Sequence, residues 1–151
     1  MLDYLDVAER SWPLLRRVMS GHAAIYRATN GRIGANMPGL PSLLLLDHVG
    51  ARSGQRRTAP LVYMRDGENL VIVASKGGHP QHPAWIHNLR AHPDTEVQIG
   101  SKRTAVHARE ADAEERARLW PRLIEHNPHW ERYRLRTERQ IPVVILEPRA
   151  G

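Results

Sequence analysis

The chain has 151 residues, a formal net charge of +6 and no cysteine. The missing cysteine excludes disulfides, thiol catalysis, iron–sulfur ligation and cysteine-type zinc sites. The longest apolar runs, 43–46 and 143–146, fall far short of the roughly 18 residues of a membrane span, so no integral membrane segment is expected.

A chain of this length forms one domain, residues 1–151, and buries about two-thirds of its unfolded surface. The cations are twenty arginines and two lysines, Lys76 and Lys102. Guanidinium forks match phosphate and carboxylate oxygens, which suits an anionic partner. The opening MLDYLDVAERSW carries acids where a secretory signal would carry positive charge, so a cytoplasmic protein is expected.

In chain order, residues 1–33 read as an N-terminal helical segment. Leu5, Ala8, Trp12, Leu15 and Val18 recur at helical spacing over 3–19, disturbed by Pro13, and a second short helix is expected over 22–30. The amphipathic stretch 2–19 is expected to cover one end of the body rather than rest on a membrane, because Asp3, Asp6 and Glu9 oppose anionic lipid. Six runs have strand character: 42–49, 58–65, 69–75, 95–100, 102–110 and 141–147. Asp66-Gly67 and Gly100-Ser101 are turn dipeptides at strand boundaries.

Pro83 suits the first position of a short helix bearing Trp85, Ile86 and Leu89. Asp112 is an N-cap for a helix over 113–126, with Ala117, Trp120 and Ile124 on one face. Asn127-Pro128 ends it, and a last helix is expected over 130–138. Short hairpin connections rule out parallel crossovers. The fold class expected is therefore α+β, a mostly antiparallel barrel of about six strands with flanking helices.

Two loops concentrate the chemistry. The first is Gly50-Ala51-Arg52-Ser53-Gly54-Gln55-Arg56-Arg57, and the second is Ser75-Lys76-Gly77-Gly78. Cations, hydroxyls and glycines that let backbone N–H groups approach an anion make a clamp for a phosphate-bearing ligand. Neither loop is a Walker A or G-x-G-x-x-G sequence. His79, His82 and His87 lack a nearby carboxylate to complete a ligand set, so no metal is expected. The clustered aromatic platform of single-strand binders is missing, so no nucleic acid is expected. Trp130 and Tyr133, three apart in a charged helix, suit either packing or the pocket of a flat ligand.

In order and spacing, a set of fragments resembles the deazaflavin-dependent nitroreductase family of actinobacteria. It comprises Tyr26-Arg27, Gly31-Arg32-Ile33-Gly34, Gly50-x-Arg52-Ser53-Gly54-x-x-Arg57, Pro60-Leu61, Asp66-Gly67 and Ala74-Ser75-Lys76-Gly77-Gly78. Pro83-x-Trp85-x-x-Asn88-Leu89, Pro93, Glu114-Glu115-Arg116 to Trp120-Pro121 and Arg139-x-Ile141-Pro142 complete it. Members of that family are split β-barrel oxidoreductases that bind coenzyme F420.

The resemblance implies that Arg52, Ser53 and Arg57 meet the phosphate and acidic tail of F420, with Ser75, Lys76, Gly77 and Gly78 completing the clamp. It implies Pro60 and Leu61 along the deazaflavin ring, Trp85 and Asn88 bordering it, and Trp130 and Tyr133 facing the substrate, with Tyr133 as proton donor. The activity implied is hydride transfer from reduced F420 to an electron-poor small molecule such as an enone, quinone or nitro compound. The alternatives are an FMN-binding split barrel and a non-catalytic cofactor carrier. Homodimerisation and weak peripheral membrane contact stay open. The chain departs from the family pattern at Ala51 and Val62, and at Asn127 and Trp130, which stand where reducers of bulky nitro compounds carry tyrosines.

Overall fold

The strand expected over 58–65 is interrupted, and the interruption accounts for the architecture. In the computed structural model, which describes residues 4–36, 38–78 and 80–150, β2 (Arg56–Val62) stops before Tyr63 and β3 (Met64–Asp66) starts after it. These two are the opposite edges of one seven-stranded antiparallel sheet of order β2-β1-β5-β6-β7-β4-β3. In a flat sheet those edges would lie about 29 Å apart, at about 4.8 Å per strand. One residue spans at most about 3.6 Å. The sheet therefore curls until its edges meet at Tyr63, and the result is a half-barrel.

The other strands are β1 (Leu43–Val49), β4 (Asn69–Val73), β5 (Asp94–Ile99), β6 (Lys102–Glu110) and β7 (Val143–Pro148). The curl gives the sheet two buried faces, which explains the unbroken apolar runs of β1 and β7. Leu44, Leu46, Leu70, Ile72, Val144 and Leu146 fill the concave side with Trp85, Ile86 and Leu89 of α2 (Ala84–Ala91). Their neighbours Val71, Val73, Val143 and Ile145 point the other way, onto Leu119, Leu123 and Trp130. Burying each such side chain contributes about 1.5–3 kcal/mol.

Two helices supply that outer layer, α3 (Ala113–His126) and α4 (His129–Arg136). The bounds expected for α3 hold, and Asp112 forms a full capping box with Glu115. Its buried face differs from the expected one: Leu119 and Leu123 are buried, whereas Ala117 is exposed. Trp120 stays half-buried because its indole N–H donates to Glu131 of α4 (2.9 Å) while the Arg116 guanidinium lies over its ring. Asn127 is buried and caps the corner: its backbone N–H donates to Leu123 and its side-chain oxygen accepts from the His129 N–H.

The two N-terminal helices expected are one, α1 (Tyr4–Ala28). Lone residues such as Gly21 cost a helix only about 1 kcal/mol, and its C-terminal half is fastened to the sheet. Ala23 and Tyr26 pack on Leu45. The Tyr26 hydroxyl donates to Leu43 O (3.1 Å) and accepts from Gly100 N–H (2.9 Å), and burial raises its pKa. Arg27 reaches Asp47 (2.8 Å), which also accepts from Thr58 (2.7 Å). Leu14, Val18 and Ile25 remain exposed.

Candidate active site

A groove of about 1250 Å³ opens between the C-terminal half of α1, the β1–β2 hairpin and the segment leading into α2. Its cations are Arg27, Arg56, Arg57 and Lys76; its apolar wall is Ala59, Leu61, Pro83 and Trp85. Such a cavity takes a long ligand with an anionic portion and a flat, uncharged one.

Of the residues singled out from sequence, Arg57, Leu61, Ser75, Lys76 and Trp85 line the groove together. Arg52 and Ser53 are exposed in the loop 50–55, outside the lining that this loop joins at Gln55. That loop closes on itself through Gly50 N–H to Gln55 O (2.9 Å), Gly54 N–H to Gly50 O (2.9 Å) and Gln55 N–H to Ser53 Oγ (3.2 Å). Pro60 pairs with Leu45 in the β1–β2 ladder, beside the lining residues Ala59 and Leu61. Asn88 is buried behind the loop, where its Oδ1 accepts from Ala51 N–H (2.9 Å). It supports the loop from beneath.

The second loop tightens into a short turn, Lys76–Gly78. Lys76 sits at φ +45°, in the left-handed region that costs a side-chain-bearing residue about 1–2 kcal/mol. The turn is braced from a distance: the Arg139 guanidinium donates to Ser75 O (2.7 Å), Ala74 O (3.2 Å) and His82 Nδ1 (3.0 Å). His82 thus accepts at Nδ1 and stays neutral; burial and then the Arg139 charge lower its pKa. Gly78 lies under the backbone of α4 at Tyr133.

Tyr133 is half-buried on α4, stacked on His129 with Arg136 over its ring, and lies outside the groove lining. Trp130 is 4% exposed and belongs to the outer core. It packs with Leu119 and Leu123 against the outward side chains of β4 and β7, and the structure does not bring it to the groove wall. Among the described residues, no three His, Asp or Glu side chains cluster to hold a metal ion; His79 lies outside them. No described helix is long and apolar enough to cross a membrane.

Sequence reasoning missed two residues. Arg139 appeared only as part of a motif, and its bracing role depends on a contact 64 residues away. His48 lines the groove yet is buried. It follows Leu44 and Leu46 at period two, so the polar residue in a core-facing stripe was a legible signal. Burial and the nearby Arg57 charge lower its pKa to about 4, so its imidazole is neutral.

Residues 18–148 match the family model for F420H(2)-dependent quinone reductase. The chain is 50% identical over 131 residues to an F420H(2)-dependent quinone reductase of Mycobacterium tuberculosis (strain ATCC 25618 / H37Rv), covering 85% of this chain and 88% of the relative. Among solved structures it is similar to an F420-H2 dependent reductase, with 40% identity and a TM-score of 0.64 over 70% of this chain and 93% of that one. Another, described as a domain-swapped dimer, shares 34% identity and a TM-score of 0.68 over 93% and 96% of the two chains.

Proposed function

The chain belongs to the F420H(2)-dependent quinone reductase family, and from that premise we propose that it reduces a quinone, or a comparably electron-poor small molecule, at the expense of reduced F420. The observation that carries this reading is the groove itself. A cationic stretch from Arg56 and Arg57 to Lys76 runs into the uncharged wall of Ala59, Leu61 and Trp85, matching a cofactor with an acidic tail and a flat deazaflavin head.

Arg52, Ser53 and Arg57 on one side and Ser75, Lys76 and the Gly77-Gly78 backbone on the other would hold the phosphate and tail. Pro60, Leu61 and Trp85 would bound the ring, with Asn88 holding the loop above it. When bound and reduced, the cofactor supplies a hydride. The chain's own task is to exclude water along the apolar wall and keep the acceptor at near-attack distance. It must also meet the negative charge that develops on the acceptor oxygen and deliver a proton to it. Tyr133 is the proposed donor; its support is the resemblance and the seat of α4 directly on the Lys76–Gly78 turn. The similarity to a domain-swapped dimer supports a homodimer in which a second copy covers Leu14, Val18 and Ile25.

Titration with F420, FMN and FAD tests the cofactor. F420 should bind at least about tenfold more tightly than FMN, by a margin that shrinks as salt screens the exposed arginines. Equal affinities at low ionic strength would defeat the assignment. Stopped-flow oxidation of reduced F420 by quinone, enone and nitro acceptors then ranks the substrates.

A further inference from the structure

One side chain in the groove has its hydrogen-bonding state dictated by groups outside the groove. Ala51 N–H can only donate, and it donates to Asn88 Oδ1 at 2.9 Å. This fixes the orientation of the Asn88 amide, leaving Nδ2–H to face His48 at 2.8 Å from Nδ1. His48 Nδ1 must therefore accept, and a neutral imidazole that accepts at one nitrogen carries its proton on the other. Asn88 Nδ2, His48 Nδ1 and the backbone of the loop 50–55 thus form a relay that sets a tautomer. Both side chains are buried, His48 at 6% exposed and Asn88 at 6%, so water does not scramble the arrangement. The surface that His48 retains is part of the groove lining, beside Arg57, its partner in the β1–β2 register.

We propose that His48 is a ligand-binding residue: its Nε2–H, oriented by the Asn88–Ala51 relay, donates a hydrogen bond to an oxygen of the cofactor bound in the groove, and Asn88 is the positioning residue. Its register partner Arg57 and the adjacent Arg56 bring full charge to this part of the groove. An imidazole held neutral adds direction without adding charge, which suits an uncharged carbonyl-type oxygen more than a phosphate already met by arginines. The lowered pKa of His48 agrees with a group that stays a neutral donor through the physiological range. This inference rests on F420 as the occupant.

Two measurements test it. In the ligand-free protein, a long-range proton–nitrogen spectrum should show His48, assigned by loss of its signals in His48→Gln, protonated at Nε2 and bare at Nδ1. Asn88→Asp keeps an acceptor for Ala51 N–H but cannot donate, so it should move a proton onto Nδ1. Oxidised F420 should then shift the Nε2 signal. In parallel, His48→Phe should weaken F420 binding about tenfold, the size of one buried hydrogen bond, while His48→Gln, whose amide nitrogen reaches the place of Nε2, should recover most of it. A His48 protonated at Nδ1 in the native protein overturns the relay. F420 binding equally well to wild type, His48→Phe and His48→Gln, with an unmoved Nε2 signal, overturns the ligand contact. Failure of wild type itself to bind F420 overturns the cofactor assignment instead, and the relay spectrum still stands or falls alone.

Discussion

The two loops that frame the groove are held in opposite ways. The loop 50–55 is closed by bonds within itself and is tied to the body through Ala51 N–H to Asn88 Oδ1. Locally, the turn Lys76–Gly78 carries the bond from Gly78 N–H to Ser75 O (2.9 Å). It is braced in addition by Arg139 from the far end of the chain and by the α4 backbone above Gly78. The first loop is a local device that carries charge outward. The second is a tertiary device, which is how a strained Lys76 can persist at the groove.

Changes to the tertiary layer should therefore outweigh equal changes in the local one. Trp130→Ala hollows out the core under α4 and should cost about 3–5 kcal/mol in urea denaturation. Because α4 seats the second loop, F420 affinity should fall too. A Trp130→Ala protein of near wild-type stability would mean that the indole is not the packing element its burial indicates.

A matched pair of glycines gives the sharpest contrast. Both have positive φ, +80° at Gly78 and +68° at Gly54. A Cβ on Gly78 would lie 2.8 Å from Tyr133 O and 3.0 Å from Arg136 Cβ, whereas one on Gly54 meets nothing within 4 Å. Gly78→Ala should cost about 3 kcal/mol, left-handed strain plus a backbone clash, and Gly54→Ala about 1 kcal/mol, strain alone. Similar melting temperatures for the two variants would erase the distinction between the loops.

The relay under the first loop has a pH signature. His48 is neutral in the folded protein down to about pH 4, whereas in the unfolded chain it takes up a proton below about 6.5. Between those values the unfolded state binds more protons, so stability rises with pH from 4 to 6.5 and is flat above, by up to about 3 kcal/mol. His48→Gln should flatten that slope. Carboxylates such as Glu115, held at about 2 by Arg109 and the Asp112 N–H, lose their contribution only below the ordinary carboxylate range. An unchanged slope in the variant would assign it elsewhere.

The smallest effects concern the clamp. Arg57→Ala and Lys76→Ala should each weaken F420 binding by about 1–3 kcal/mol with little change in stability. Arg149→Ala should leave F420 binding as it is, since Arg149 is spent on Val106 O and Thr95 O at the opposite end of the sheet. Equal losses in all three would mean that the arginines act as a diffuse field and that neither loop is a clamp.

Local signals in the sequence determined much of this protein. The bounds of β6 and α3 follow from a turn dipeptide, an N-cap and periodicity, all of which act within a few residues. Both loops, and five of the groove residues, were legible because strand ends, glycines and cations declare themselves in sequence. The break at Tyr63 was not, since neither glycine nor proline marks it; it exists because that residue must join opposite edges of a closing sheet. The face of α3, the burial of Trp130 and the bracing role of Arg139 were likewise decided by what the curled sheet presents across long sequence separations. His48 shows the boundary most clearly. Its register made it a candidate, but the tautomer that gives it a role comes from Asn88, 40 residues away, and no local pattern encodes a hydrogen bond between elements that only the fold brings together.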